Sequence, residues 1–485
     1  MYFDPDSVHT ISEMMIGGEL RQGTSIHPVA SPSRPSLKHD IGWADATQVN
    51  DAVLAARNAF PEWSALPPRD RAKILYRFAD LVDANAEEIA RLESLVSARI
   101  YSESMARDVK VVSGVLRYFA EFSDKIEGSV TSTPSNSLSM TVHEPHGVVA
   151  AISPWNFPII LSSWKFAPAL AAGNTVVLKP SELTPFSAVR IAQLGTEAGL
   201  PNGVFNVING DGQVGGELVR HPDVDYVTFT GSSATGAQIM ADAATTGLKP
   251  VSLELGGKGP QLVFEDAPDL DRLAAMVARG ITYNSGQVCF AGSRLIVQRQ
   301  LADDLTRRVA DLMSELQVGP TWGDTTTMPP IINKKQNDRI AHIVEQSIRS
   351  GAELLCGGER VETAEGEFYK PTILNVSDID NAAVCEEIFG PVLAVQTFDD
   401  FEEGVALANH SDYGLTASVH TRDISRAFKA AQDIQSGTVW INDWGRRTDF
   451  TAPFGGYKKS GLGKDMGRPG FEKYLKSKAI WLEID

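Results

Sequence analysis

Cysteine is scarce in this chain of 485 residues, with only three, at positions 289, 356 and 385. An odd and sparse set of thiols does not build a disulfide framework, and no pair has the C-x-x-C spacing of zinc ligands. We therefore expect no metal site. The same scarcity predicts a reducing, cytoplasmic compartment.

Basic residues and long apolar runs are also in short supply. The chain has 44 Lys and Arg against 61 Asp and Glu, a net charge of −17. This balance argues against nucleic acid or an anionic membrane as partner, because both are bound through basic patches. The first residues lack the basic start and apolar run of a signal peptide. The most apolar stretch, residues 147–173, is broken by prolines, an asparagine and a lysine, so we expect no membrane span.

The length allows roughly three domains of about 150 residues each. From Gly147 to about Trp440, short apolar segments alternate with helix-like ones, which predicts parallel βαβ units and doubly wound sheets. Such sheets bind ligands beyond the carboxyl ends of their strands. Helices are predicted at 45–63, 69–95 and 108–126, and residues 1 to about 45 are expected to be irregular. The strand-like segment 479–483 belongs to no obvious sheet, so it is a candidate for pairing across a subunit interface.

The loop around Cys289 is the first candidate site. Residues 284–292 read NSGQVCFAG, with glycines on both sides of the thiol. Glycine lets the backbone turn and lets a substrate approach closely. Most free cysteines are small buried apolar residues, so this loop alone leaves a nucleophile and a core residue equally open. Cys385 stands beside two carboxylates, which disfavour its thiolate and make it the poorer nucleophile.

Two further motifs suggest a nucleotide. The stretch 229–236, FTGSSATG, follows a predicted strand and opens a helix, where backbone amides can bind phosphate. It lacks the G-x-G-x-x-G fingerprint, so a plain βα turn is the alternative. In KPSE, Lys179 and Glu182 stand beyond the end of a strand and could bind ribose hydroxyls. A carboxylate repels a 2′-phosphate, so Glu182 favours NAD over NADP. The alternative is a solvated ion pair.

Two single residues have the chemistry of catalysis. Glu254, in LELGGK, is a lone acid in an apolar strand, where desolvation raises a carboxyl pKa toward that of a general base. Asn156, in PWNFP, has a side-chain amide that could stabilise an oxyanion. The alternatives are a carboxylate paired with a cation and an asparagine that shapes a turn. Phe389 and Phe454 each lie in a Gly/Pro loop and could wall a pocket.

The motifs PWNFP, KPSE, FTGSSATG, LELGGK, the Cys289 loop, EEIFGPV and PFGGYKKSG occur in one order. In that order and spacing the chain resembles the aldehyde dehydrogenase superfamily, from about Ile16 to the C-terminus. The resemblance implies an α/β fold with a doubly wound parallel-sheet dinucleotide-binding domain (1–125 and 147–257) and an α/β catalytic domain (258–457). It also implies a small β oligomerisation arm and tail (126–146 and 458–485), in a homodimer or homotetramer.

The resemblance further implies a role for individual residues. Cys289 would attack the aldehyde carbon, and Asn156 with the Cys289 backbone N–H would hold the oxyanion. After hydride transfer to NAD, Glu254 would activate the water that hydrolyses the thioester. Lys165 would belong to a proton relay with position 465. Many relatives carry glutamate there, and this chain has the shorter Asp465.

The implied cofactor contacts are Ile152, Ser153, Trp155, Lys179, Glu182, Gly231, Ser232, Gly256, Glu387 and Phe389. The implied substrate contacts are Phe157, Trp164, Phe290, Asp443, Trp444 and Phe454.

The residues near the predicted tunnel favour different classes of substrate. The aromatic residues suggest an apolar tunnel, Asp443 could attract an amino-aldehyde, and Arg446 or Arg447 could clamp a carboxylate. We expect a broad, aromatic or aliphatic aldehyde. Relatives are a weak guide, because residues 93–100 (ESLVSARI) depart from the family's Glu-Thr-Gly-Lys-Pro-like stretch near the tunnel mouth.

Three other functions are alternatives to this one. A CoA-acylating semialdehyde dehydrogenase typically lacks the hydrolytic base, so Glu254 argues against it. A non-catalytic binding or structural homologue would not need Cys289, Asn156 and Glu254, which are all present. A cysteine hydrolase would not need the cofactor set of Lys179, Glu182, Glu387 and Phe389.

Overall fold

The computed structural model describes residues 1–361, 365–446 and 449–484. Within these ranges no helix is both long and apolar enough to cross a membrane. The strands are β1 Met14–Ile16, β2 Glu19–Arg21, β3 Ser25–Ser31, β4 Arg34–Trp43, β5 Ser129–Thr131, β6 Ser137–Pro145, β7 Val148–Ile152, β8 Thr175–Lys179, β9 Phe205–Val207, β10 Tyr226–Thr230, β11 Val251–Glu254, β12 Pro260–Val263, β13 Arg294–Gln298, β14 Glu353–Cys356, β15 Arg360–Val361, β16 Phe368–Tyr369, β17 Thr372–Asn375, β18 Val392–Phe398, β19 Tyr413–Gly414, β20 Thr416–His420, β21 Thr438–Ile441, β22 Tyr457–Lys458, β23 Gly461–Leu462 and β24 Leu475–Glu483.

The helices are α1 Ala46–Ala65, α2 Pro68–Ala84, α3 Ala86–Val96, α4 Tyr101–Glu103, α5 Val109–Ala120, α6 Pro158–Ala171, α7 Phe186–Glu197, α8 Gly212–Arg220, α9 Ser233–Thr245, α10 Leu270–Thr282, α11 Arg299–Ser314, α12 Lys334–Arg349, α13 Ala382–Cys385, α14 Phe401–Asn409, α15 Ile424–Asp433 and α16 Gly467–Glu472. Short 3-10 or π turns occur at Pro5–Ser7, Ser104–Asp108 and Tyr283–Gly286.

The first sheet has the order β2-β1-β9-β8-β7-β10-β11-β23. Its strands from β9 to β11 are parallel, while β1, β2 and β23 add in antiparallel fashion at the two edges. Strands β7, β8 and β10 are buried along their whole length, because helices cover both faces of a doubly wound sheet. The predicted α/β fold is confirmed in this half.

The second sheet has the order β14-β17-β18-β13-β12-β20-β21 and is parallel except for β14. A three-stranded antiparallel sheet, β24-β6-β5, forms a separate arm. A doubly wound sheet, a second α/β sheet and a small β arm are the three types of structure that the sequence predicted. The boundaries proposed at 125, 147, 257 and 457 stay predictions.

The expectation of an irregular start is wrong, and so is the premise that segment 479–483 has no sheet in its own chain. Pairing of that segment across a subunit interface stays a prediction. Residues 1 to about 45 are not irregular: β1 and β2 extend the first sheet, and β3 pairs with β4 as a hairpin. These strands are short or half exposed, so they lack the apolar alternation that marks a strand in sequence. Segment 479–483 does belong to a sheet of its own chain, because β24 pairs with β6 over nine residues, from Leu475 opposite Pro145 to Glu483 opposite Ser137.

The register of the first sheet brings the predicted motifs together. Ile152 lies beside Phe229 and beside Lys179, and Thr230 lies beside Glu254. Each of these residues stands at or near the carboxyl end of its parallel strand. The loops that follow therefore open at one edge of the sheet, where ligands of such folds bind.

Candidate active site

A cavity of about 260 Å³ lies at this edge of the first sheet. Of the predicted site residues, it is lined by Trp155, Asn156, Gly231, Ser232, Gly256, Cys289, Glu387 and Phe389. The other residues of its wall are Pro154, Leu161, Thr230, Leu255, Gln336 and Arg339. The candidate nucleophile, the oxyanion donor and six of the ten predicted cofactor residues thus line one cavity, although they come from distant parts of the chain.

The backbone that leads to Cys289 is strained. Asn284 and Ser285 have φ values of 50° and 53°, in the left-handed region that residues other than glycine seldom adopt. Such conformations cost on the order of 1–3 kcal/mol each and persist only where the surroundings hold them. Here the Arg99 guanidinium donates to Asn284 Oδ1 at 3.3 Å, and the Ser285 hydroxyl donates to the Pro329 carbonyl.

Gln287 fastens the same loop to its neighbours. Its side-chain amide donates to the carbonyls of Asn284 and Pro330, both at 3.1 Å. Its side-chain oxygen accepts the backbone N–H of Ile332 at 2.9 Å. The turn before the thiol is therefore fixed by side chains, and Cys289 follows it in a defined position.

Asn156 is oriented by this loop. Its Nδ2 donates one hydrogen to the Gln287 carbonyl at 2.9 Å, which sets the direction of the amide. Asn284 Nδ2 in turn donates to the Asn156 carbonyl at 3.1 Å. Because Nδ2 carries two hydrogens, the second one stays available for an oxyanion.

Arg99 contacts the Cys289 loop through Asn284, and no sequence motif indicated this residue. It is fully buried, donates to both carboxylate oxygens of Asp108 at 2.7 and 3.2 Å, and reaches Tyr283 Oη at 3.0 Å. Its guanidinium also lies 4.6 Å from the centre of the Phe157 ring. No motif marks this residue, because all of these contacts are made by tertiary folding.

The thiol and the acid are both held in a low-dielectric setting. Burial raises the pKa of the Cys289 thiol well above its usual value, and the nearby carboxylates of Glu387 and Glu254 raise it further. Burial, followed by repulsion from Asp465, likewise raises the pKa of Glu254 well above its usual range. Neither carboxyl oxygen of Glu254 has a hydrogen-bond partner in the described part of the chain. A group this poorly stabilised as an anion suits proton transfer.

A buried charge cluster lies behind Glu254. Lys165 Nζ is 3.6 Å from Asp465 Oδ2, and Lys473 donates to Asp465 Oδ1. Burial lowers the pKa of Lys165, while the carboxylate of Asp465 opposes that shift. The shorter Asp465 therefore still approaches Lys165. Lys473, which was missed because it lies in no motif, carries the second positive charge of the cluster.

Glu387 and Phe389 form another part of the cavity lining. The carboxylate of Glu387 accepts the Gly257 backbone N–H at 2.9 Å, and burial raises its pKa to about 7. Phe389 has φ 56° and meets the Trp155 ring edge-on at 5.2 Å. Gly256 lies beside them, and a Cβ there would be 2.3 Å from Glu387 Oε2. Only glycine leaves the carboxylate in this place.

The predicted ribose pair lies beyond the cavity. Lys179 is buried, its Nζ donates to the Pro180 carbonyl at 3.0 Å, and it is 4.0 Å from a carboxylate oxygen of Glu182. Ser232 caps the N-terminus of α9 by accepting the Thr235 backbone N–H at 3.2 Å. Ile152 and Ser153 end β7 between these two features, and the Ser153 N–H donates to the Lys179 carbonyl.

The predicted substrate residues fall into two groups. Trp164, Phe290, Trp444 and Phe454 form a row of rings: Trp164 and Phe454 are 5.6 Å apart, Phe454 and Phe290 are 6.0 Å apart, and Phe290 and Trp444 are 5.7 Å apart. We call these four the aromatic row.

The remaining two substrate candidates lie apart from those rings. Phe157 stacks on Tyr283 at 5.8 Å, and the Asp443 carboxylate accepts the Trp444 backbone N–H at 3.0 Å. Arg447 lies outside the described residues.

A protein-family model and similar known proteins both indicate one enzyme family. Residues 21–480 match the model of the aldehyde dehydrogenase family. The chain is 42% identical to the NADP/NAD-dependent aldehyde dehydrogenase PuuC of Escherichia coli K12, over 92% of this chain and 90% of that protein. It is 41% identical to a putative aldehyde dehydrogenase-like protein of Schizosaccharomyces pombe, over 99% of this chain and 92% of that one.

Solved structures of aldehyde dehydrogenases have the same fold as this chain. An indole-3-acetaldehyde dehydrogenase, crystallised with NAD+, is 39% identical and superposes with a TM-score of 0.97, covering 99% of this chain and 98% of that one. The aldehyde dehydrogenase KauB of Pseudomonas aeruginosa has the same TM-score at 40% identity, again covering 99% and 98% of the two chains. With the matched motifs and this cavity, these comparisons show that the chain belongs to the aldehyde dehydrogenase family.

Proposed function

We propose that this enzyme oxidises an aldehyde to a carboxylic acid with NAD as the hydride acceptor, through a covalent intermediate on Cys289. This proposal rests mainly on the observation that Cys289 and Asn156 line the same cavity as Glu387 and Phe389. Glu254, buried and without a hydrogen-bond partner in the described residues, is near enough to raise the thiol pKa. A nucleophile, an oxyanion donor and a base are what aldehyde oxidation through a thioester requires.

The residues present fit NAD. The N-terminus of α9, thirteen residues long and capped by Ser232, offers backbone amides to a pyrophosphate. The half-exposed Glu182 beside Lys179 suits the hydroxyls of a ribose and disfavours the extra phosphate of NADP. The indole-3-acetaldehyde dehydrogenase was solved with NAD+, whereas the name of PuuC includes both cofactors, so NADP stays the weaker candidate. When bound, NAD would supply the hydride acceptor.

The first step is attack of the Cys289 thiolate on the aldehyde carbon. Because burial and two carboxylates hold the thiol neutral, its proton must leave to a base or to solvent before the sulfur can react. The new C–S bond turns the carbonyl oxygen into an oxyanion. The free hydrogen of Asn156 Nδ2 and the Cys289 backbone N–H would stabilise that charge.

The second step is loss of hydride from the tetrahedral carbon, which leaves a thioester on Cys289. A water molecule then attacks the thioester carbonyl, and Glu254 takes its proton. The C–S bond breaks, the acid is released and the sulfur leaves as thiolate. Asp465 raises the proton affinity of Glu254, while Lys165 and Lys473 oppose that rise. Their balance sets how readily Glu254 accepts and returns the proton.

Formation of NADH from an aldehyde panel tests this function, with NAD compared with NADP and with CoA added or omitted. We expect NAD-dependent turnover without CoA. Cys289→Ala should abolish it, and Cys356→Ala, which changes a thiol at a distant strand, should leave it unchanged. Turnover only with CoA would support the acylating alternative. Acid formation without any cofactor would support a hydrolase, and NAD binding without turnover would support a silent homologue.

A further inference from the structure

Arg446 lies at the outer end of the aromatic row. Its guanidinium is 4.9 Å from the centre of the Trp164 ring and 5.6 Å from that of Phe454. Phe454 contacts Phe290, which follows Cys289 directly in the chain. Two ring contacts therefore separate this cation from the residue next to the nucleophile.

Among the residues that the structure describes, no carboxylate forms an ion pair with this cation. Its Nη2 donates to two backbone carbonyls, of Asp449 at 2.9 Å and Ala452 at 3.0 Å, and these contacts hold it over the rings. The carboxylates of Asp449, Asp465 and Glu254 act on the guanidinium only from beyond ion-pair distance. Burial leaves the charge of Arg446 incompletely solvated and lowers its pKa to about 10. An incoming anion would offset that loss.

Two further donors of the aromatic row lack acceptors. The indole N–H groups of Trp164 and Trp444 are buried and have no hydrogen-bond partner in the part of the chain that the structure describes. A buried N–H without an acceptor is destabilising, so such groups usually have a ligand or water. Together with Arg446, they make this region rich in donors.

From this arrangement we propose that the preferred substrate is an aldehyde whose far end carries a carboxylate, bound by Arg446 beyond an apolar segment that packs on the aromatic row. A carboxylate is an acceptor only and matches the planar fork of a guanidinium. The rings exclude a uniformly polar chain between the two ends. The inference rests on the proposed function, since it names the substrate class of the same site.

The surroundings favour a carboxylate over the alternatives. An amino-aldehyde would bring a second positive charge close to the guanidinium of Arg446. Repulsion from Arg107 already destabilises the charged form of that guanidinium. A phosphate would bring a charge close to minus two, while Asp449, Asp465 and Glu254 already lie near enough to act on the guanidinium. A single negative charge is the better match.

The test compares three straight-chain aldehydes of equal length, ending in a carboxylate, its methyl ester or a methyl group, with NAD as cofactor. We expect kcat/KM to be about 10- to 100-fold higher for the carboxylate, the range of a charged hydrogen bond. Arg446→Gln keeps donors for the two carbonyls but loses the charge. It should remove most of that preference and leave the ester and methyl aldehydes within about threefold. Arg446→Lys should restore part of the preference.

Arg349→Met, which removes an exposed arginine of α12, is the matched control and should keep the full preference. Equal turnover of all three aldehydes by the wild type would overturn the proposal. So would an unchanged preference in Arg446→Gln, or a larger preference for a phosphorylated aldehyde. If neutral aldehydes are oxidised and carboxylated ones are not favoured, this inference alone fails. If no aldehyde reduces NAD, the proposed function fails.

Discussion

At the scale of residues, the site depends on a chain of hydrogen bonds that begins outside the cavity. Arg99 donates to Asn284, Asn284 donates to the Asn156 carbonyl, and Asn156 donates one N–H to the Gln287 carbonyl, which leaves its second N–H free. Arg99 is fully buried and does not line the cavity, so it is a positioning residue. Its proposed role is to hold the left-handed Asn284, which in turn contacts the Asn156 backbone.

Arg99→Met should lower kcat about 10- to 100-fold, because the oxyanion donor loses its alignment, while KM for NAD stays within about threefold. Arg99→Lys, which keeps the charge but not the fork, should recover part of kcat. Steady-state kinetics with circular dichroism as a check on folding measure this. Arg279→Met is the control, since Arg279 stacks on the same Tyr283 ring from 5.1 Å without contacting Asn284. Equal losses in both variants would contradict the positioning role.

Sequence motifs indicated the residues of the cavity but not those that support it. Cys289, Asn156 and Glu254 stand in segments whose local residue pattern has a chemical meaning. Arg99 and Lys473 act through partners far away along the chain, at Asn284 and Asp465. A single sequence contains no signal for such contacts, because they exist only after folding.

At the scale of elements, a buried acid joins three helices. Glu93, in α3, accepts the backbone N–H of Ile159 at the start of α6 and the hydroxyl of Ser187 in α7. Burial raises its pKa to about 7, and the two hydrogen bonds only partly oppose that rise. The folded protein therefore binds a proton here more tightly than the unfolded chain does.

The contribution of Glu93 to stability is fully present below pH 4.5 and is lost as pH rises through about 7. The difference between the two pKa values corresponds to about 3 kcal/mol. Glu93→Gln should therefore raise the thermal midpoint relative to wild type at pH 8 and bring no such gain at pH 5. Glu87→Gln, at an exposed acid of the same helix, should track the wild type at both pH values. A gain of equal size at both would contradict the assignment.

Helices were easier to predict than the strands at the N-terminus. The segment 46–65 forms α1 close to the predicted limits, since its apolar residues recur at helical spacing. The predicted helix at 69–95 is interrupted at Asn85, where α2 ends and α3 begins. Asparagine competes for backbone hydrogen bonds, and here its Nδ2 donates to the Leu81 carbonyl.

At the scale of the whole molecule, the arm leaves apolar side chains uncovered. On β24, Ile480, Trp481 and Leu482 are 40%, 65% and 53% exposed, and Val130 on β5 is 71% exposed. Several exposed apolar side chains on one small sheet are typical of a protein interface. This supports the predicted homodimer or homotetramer, with the arm as contact surface.

Trp481→Asp should weaken self-association roughly 30-fold or more, since a buried aromatic anchor is worth 2 kcal/mol or more at an interface. Sedimentation velocity across a concentration series measures this. Phe428→Asp changes an aromatic residue of α15 that is 56% exposed and should leave association unchanged. A wild-type chain that sediments as a monomer at all concentrations would contradict the predicted oligomer.

The C-terminal residues also decide when the site becomes complete during synthesis. Strand β23 lies against β11, with Gly461 beside Glu254, and Asp465 and Lys473 supply the charges around that acid. A ribosome produces residue 254 long before residue 473. A growing chain can thus assemble the cysteine loop and most of the first sheet while Glu254 is still without its electrostatic surroundings. If Glu254 acts as the proposed base, we expect the hydrolytic step to become possible last and a chain cut short before residue 461 to lack it.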